Sequence, residues 1–130
     1  MTKMTMSEIQ KEISGFSGTE QYHKCSIVPN YVCTDGVAHL AEFAKCYWLL
    51  DAIASYQRTE SMQFWKLTIK DKKAELIMQE DSGLPILVKQ KFTYTDLPDG
   101  EINIWIGIQR TSSRDEDNTN LYVMMLPSEY

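Results

Sequence analysis

Two histidines, three cysteines and no CxxC pair leave this chain poor in the residues that hold zinc or staple a small fold. The cysteines, Cys25, Cys33 and Cys46, are odd in number and widely spaced, which argues against a disulfide framework and a structural zinc site. Cys46 falls in an apolar helical stretch, where a free thiol serves as a small hydrophobe. The six glycines are scattered, and none forms the Gly-rich strand-to-helix turn of a phosphate loop. No apolar run nears the roughly 20 residues of a membrane span. The opening Met1-Thr-Lys-Met-Thr-Met-Ser7 lacks the apolar centre of a signal peptide, so a cytoplasmic protein without membrane contact is expected.

A basic excess is also missing. Residues 1–95 hold eleven basic and eleven acidic side chains, so the net charge of −5 lies wholly in residues 96–130. That argues against a general nucleic-acid binder, which needs cations to displace phosphate counterions. No direct nucleic-acid contact is expected. The acidic end, with Asp96, Asp99, Glu101, Asp115, Glu116 and Asp117, is instead suited to a basic partner.

What is present is enough apolar sequence for one core. At 130 residues and 43% hydrophobic, the chain reads as a single domain over residues 1–130. Its longest helical pattern runs from Thr34 to Gln57. Leu40, Phe43, Ala44, Tyr47, Leu50 and Ala54 share one stripe at 100° per residue, and Thr34 or Asp35 can cap the first turn. A shorter helix is predicted over residues 5–14, with Thr5 and Glu8 at capping-box spacing, Met6, Ile9 and Ile13 on one side, and Gly15 as its stop. Residues 15–33 read as turn and extended chain around Pro29-Asn30, either a small hairpin or a loop laid across the sheet.

Beyond Met62 the apolar period changes from 3.6 to 2. Strands are predicted at 64–70, 74–80, 86–94, 101–109 and 121–126, separated by short turns except for the polar loop 110–120. Ile102, Ile104, Ile106 and Ile108 occupy one face of the fourth. The expected architecture is α+β: one long helix packed on a single antiparallel five-stranded meander, with a short N-terminal helix beside it.

Candidate chemistry is thin. A nucleophile–base pair at Cys33–His39 or Cys25–His23 requires the fold to bring the partners together. Asp51 falls about 40° from the centre of the apolar stripe, where a buried carboxylate needs a partner. It reads as structural, with a cleft acid or base as the alternative. Asp115-Glu-Asp117 lacks the Gly and distal Glu of a calcium loop. No cofactor or metal is expected. Trp48 and Trp105 lie off the buried faces and become a partner-binding patch if nothing covers them.

Several blocks resemble a family of small uncharacterised proteins carried by phages, plasmids and integrated elements. They are Phe16-Ser-Gly-Thr-Glu-Gln-Tyr22, Thr34-Asp-Gly-Val37 with Leu40-Ala-Glu42, Tyr47-Trp-Leu-Leu-Asp-Ala-Ile-Ala-Ser55, Tyr94-Thr-Asp96 and Leu126-Pro-Ser-Glu-Tyr130. The likeness spans nearly the whole chain. It departs at Arg110–Asn120, where relatives are expected to turn more tightly. The resemblance carries no catalytic residues. It implies a mobile-element accessory protein, a class that often acts against host defence, including CRISPR systems. The expected function is non-catalytic protein binding, as an anti-CRISPR-like inhibitor of a host defence nuclease or CRISPR complex. The expected partner surface comprises Asp96, Asp99, Glu101, Asp115, Glu116, Asp117, Trp48 and Trp105. A small enzyme using Asp51 or a Cys–His pair, and a purely structural accessory protein, are the alternatives.

Overall fold

The computed structural model describes residues 4–18, 21–24, 26–81, 83–110 and 120–130. Its elements, in chain order, are α1 (Met6–Ile13), β1 (His23–Lys24), β2 (Tyr31–Cys33), α2 (Asp35–Phe43), α3 (Tyr47–Ser55), β3 (Met62–Lys70), β4 (Lys73–Gln79), β5 (Val88–Phe92), β6 (Gly100–Arg110) and β7 (Asn120–Met125). A 3₁₀ turn, Pro127–Glu129, follows β7. Among the described residues, no helix is long and apolar enough to cross a membrane.

The long helix expected over 34–57 is two helices. At its break, Lys45 adopts φ 55° and the Cys46 N–H reaches back to the Ala41 carbonyl at 3.0 Å. This is a Schellman ending with a lysine at the left-handed position that usually holds glycine. The break shifts which residues of α3 face the core, although Leu50 and Ala54 stay buried as the stripe predicts. Leu49, Leu50, Ile53 and Ala54 of α3 are buried, while Tyr47 is 44% exposed and Asp51 is exposed. In α2, Val37, Leu40 and Ala41 are buried, and Phe43 is half-buried.

The expected five-stranded meander is also overturned. Seven strands form one mixed sheet in the order β1-β2-β7-β6-β3-β4-β5. Strands β3, β4 and β5 do follow one another as antiparallel neighbours. Strand β6 then returns to pair with β3 rather than β5, setting Ile102 opposite Leu67 and Ile104 opposite Trp65. The choice has a physical reason. Its isoleucine face buries fully only beneath the helices at the sheet centre, whereas beside β5 it would lie at the sheet edge next to half-buried Gln90 and Phe92. The segment after β5 makes the detour by wrapping the β3–β4 turn. The Thr95 N–H donates to the Lys72 carbonyl at 2.8 Å, and the Asp71 N–H donates to Asp99 Oδ1 at 3.0 Å.

Strand β2 adds the parallel element, pairing Tyr31, Val32 and Cys33 with Tyr122, Val123 and Met124. The Tyr31 and Tyr122 rings stack at 5.0 Å. Strand β1 then pairs antiparallel with β2. All the helices serve one sheet face, whose core holds Trp65, Leu67, Leu76, Met78, Ile102, Ile104 and Ile106. Buried polar groups are satisfied within it: the Trp65 indole N–H donates to Gln63 Oε1, and the Gln63 amide donates to the Arg58 and Glu60 carbonyls. Thr5 caps α1 as the sequence predicts, accepting from the Glu8 N–H at 3.2 Å.

Candidate functional site

The break between α2 and α3 does more than re-phase the core. It places Trp48 in the first turn of α3, beside the far edge of the sheet. Phe92, at the end of edge strand β5, meets the indole edge-on with ring centres 5.1 Å apart. The chain then turns through Tyr94, Thr95, Asp96 and Leu97 and forms the opposite wall. The result is an open groove of about 470 Å³ lined by Ala44, Lys45, Trp48, Phe92 and that turn.

The groove is apolar at its floor and charged at its rim. Thr95 and Leu97 are buried, and the Leu97 N–H donates to Thr95 Oγ1 at 3.2 Å, which fixes the turn. Tyr94 is 64% exposed, and its hydroxyl donates to Asp96 Oδ1 at 2.6 Å. That hydrogen bond, together with the carboxylate's charge, raises the Tyr94 pKa. Lys45 stands at the other rim, 3.4 Å from Glu42. A groove of this kind can receive a long side chain with an apolar stem and a cationic head. The stem lies on the indole and the head meets the carboxylate.

The fold brings Trp48 and Asp96 together and separates the rest of the expected surface. Asp99 is engaged with the Asp71 backbone. Glu101 is exposed at the start of β6, and its carbonyl accepts from the Gln10 amide at 3.1 Å. Trp105 lies on the sheet face away from the helices, edge-on to Phe64 at 4.8 Å and to Tyr130 at 5.6 Å. Trp48 and Trp105 therefore do not form one patch. Asp115, Glu116 and Asp117 lie outside the described residues. Phe92 and Lys45 join the groove without having stood out in the sequence, and Tyr94 joins it from the Tyr94-Thr-Asp96 block. Nothing there tells which residues will meet at a sheet edge.

The catalytic alternatives fare as follows. Asp51 is exposed on α3 rather than enclosed in a cleft. His39 pairs with Glu12 at 2.8 Å, its ring set between those of Phe16 and Phe43. His23 pairs with Asp35 at 2.6 Å and sits across the ladder from buried Cys33. Cys25 lies outside the described residues. Burial pushes the Cys46 thiol up to about 12, away from the thiolate a nucleophile needs. Among the described residues, no group of three or more His, Cys, Asp or Glu is placed to hold a metal ion.

Two of the sequence blocks prove to be one structural latch. The Glu129 carboxylate accepts from Thr34 Oγ1 at 2.6 Å, from the Gly36 N–H at 3.2 Å and from the Leu126 N–H at 3.0 Å. Thr34 Oγ1 in turn accepts from the Val37 N–H. Free N–H groups in the first turn of α2 are thus capped by a helix-end residue and by a carboxylate from the C-terminus. Ser128 adds a bond to the Phe16 carbonyl at 2.7 Å. A family model described as "Family of unknown function (DUF6876)" matches residues 7–130. No curated protein and no solved structure matches the chain.

Proposed function

We propose that this chain, which belongs to the family of unknown function matched over residues 7–130, is a non-catalytic binding protein that docks a basic segment of another protein in the Trp48–Asp96 groove. One observation carries the reading: an aromatic floor and an exposed carboxylate share an open groove held in shape by its own hydrogen bonds. Trp, Tyr and Phe anchor interfaces because they bury large rigid surfaces at low entropic cost. A guanidinium or ammonium over an indole adds about 0.5–2 kcal/mol, more as water is excluded.

The finer reading is a mobile-element accessory protein that occupies a basic site of a host defence nuclease or CRISPR complex. Its support is the resemblance of the sequence blocks and the confinement of the net charge to residues 96–130. Long-range attraction between that end and a cationic surface speeds encounter, and the groove then supplies the anchor.

Affinity capture from host lysate tests it with three baits: the wild type, Trp48→Ala, and Tyr94→Ala with Asp96→Asn. The second variant changes only exposed side chains, so its fold is expected to survive, with melting temperature as the check. Stoichiometric capture of a basic protein by the wild type, lost by both variants, is the expected result. Equal capture by all three baits would overturn the groove as the docking site. A bound small molecule recovered in place of a stoichiometric protein partner would favour the enzymatic alternative.

A further inference from the structure

The sheet face away from the helices is sorted by register into rows. Trp105 stands opposite Phe64. One step along the strands, Lys66 lies between Asn103 and Ile77, with Lys89 beyond. The next step sets Thr68 between Glu101 and Glu75, with Lys91 beyond. At the end, Lys70 stands opposite Lys73. An aromatic row therefore borders a field of five lysines and two glutamates, in a protein whose net charge is −5.

Only one of those five lysines is paired among the described residues. Lys89 approaches Glu75 at 3.9 Å, whereas Lys66, Lys70, Lys73 and Lys91 make no ion pair among the described residues. Like charges directly opposite one another weaken a ladder, as at Lys70 and Lys73. The turn joining them adds to this: Asp71 and Lys72 both take left-handed backbone angles, φ 51° and 64°, and neither is glycine. The fold holds this strained basic turn in place through Asp99 and Thr95.

We infer that this face binds single-stranded nucleic acid, with phosphates on the lysine rows and bases against the Phe64–Trp105 row. Charge complementarity selects a polyanion. Lysine is depleted from protein–protein interfaces but takes phosphates readily as a point charge. The adjoining aromatic row selects a strand whose bases are free to stack, which a duplex does not offer. The net charge of the chain argues against a general nucleic-acid binder only as an average, and the register undoes that average by collecting the lysines. This face is distinct from the Trp48 groove, so either proposal stands or falls alone.

Fluorescence anisotropy with labelled oligothymidylate and oligouridylate tests it. Binding is expected at low salt, with log affinity falling against log salt by about 0.7 per phosphate contact. The ratio between the two probes tells DNA from RNA as the source. Lys70→Glu with Lys73→Glu should weaken binding by about tenfold or more and flatten the salt slope. That variant keeps like charges opposite one another at positions 70 and 73, so a retained melting temperature separates lost binding from lost fold. Tryptophan quenching on binding that disappears in Trp105→Phe would place bases on the aromatic row. Absence of binding at low salt, unchanged binding by the lysine variant, or equal competition by duplex or by polyglutamate would overturn the proposal.

Discussion

Glu129 occupies the space that a β-carbon on Gly36 would need. A carbon built there would lie 2.5 Å from Glu129 Oε1 and 2.7 Å from Leu126 Cδ1. The glycine at the second position of α2 is therefore not a helix weakness left uncorrected. It is the opening through which the Glu129 side-chain carboxylate reaches the helix N-terminus, accepting from Thr34 Oγ1 and the Gly36 N–H. This ties the Thr34-Asp-Gly block to the closing Leu-Pro-Ser-Glu-Tyr block.

Gly36→Ala should then destabilise the protein by about 1–3 kcal/mol, although alanine is normally the better helix former. Glu129→Ala should cost about 1–2 kcal/mol through the lost charge-assisted bonds. Because the two act on one contact, the double variant should lose clearly less than the sum. Chemical denaturation of all four proteins gives the cycle. Additive losses would show that the latch does not depend on the glycine.

Lys45 supplies a prediction of opposite sign. It sits at φ 55° at the end of α2, where a β-carbon is penalised by about 1–2 kcal/mol. Its ion pair with Glu42 is well exposed and contributes little. Lys45→Gly should raise stability by about 1 kcal/mol, less the entropy glycine adds to the unfolded chain. A lower denaturation midpoint would mean that Lys45 makes a contact worth more than the strain.

That same residue explains where reading the sequence succeeded and where it failed. Ile102, Ile104 and Ile106 declared their strand by strict alternation, and they are buried. Thr5, with Glu8 three residues on, declared the start of α1. Ala44-Lys45-Cys46 contains no glycine or proline, so nothing local announced the helix break, and the 100° phase carried through it misplaced Tyr47 and Asp51. Strands β1 and β2 are two and three residues long, too short to show a period. The pairing of β6 with β3 is a non-local choice settled by burial. The groove inherits these failures. Trp48 was recognisable as an off-stripe aromatic, but its meeting with Phe92 and Asp96 depends on the break and on the sheet order together.

Asp51 tests the phase of α3, with its neighbour Leu50, buried as the stripe predicts, as the control. Leu50 is 0% exposed and Asp51 faces out. Leu50→Ala should cost about 2–5 kcal/mol. Asp51→Ala should stay within about 0.5 kcal/mol. Urea midpoints read both, and a large loss at Asp51 would contradict the re-phased α3.

Alkaline pH probes the core from inside. Burial raises the Cys46 thiol from an ordinary 9.0 to about 12. Burial also raises the Tyr31 phenol from 10.0 to about 12, helped by the nearby Tyr122 and Glu60. Between those limits the unfolded chain releases protons that the folded chain keeps. Stability is therefore fully present below pH 9 and should fall as pH rises from 9 towards about 12. Cys46→Ala lowers overall stability through lost packing, yet it should flatten the first part of that decline. Tyr31→Phe should flatten the part above pH 10. Denaturant midpoints measured across the window give the slopes. If neither variant differs from the wild type in slope, these two groups are not held neutral by the fold.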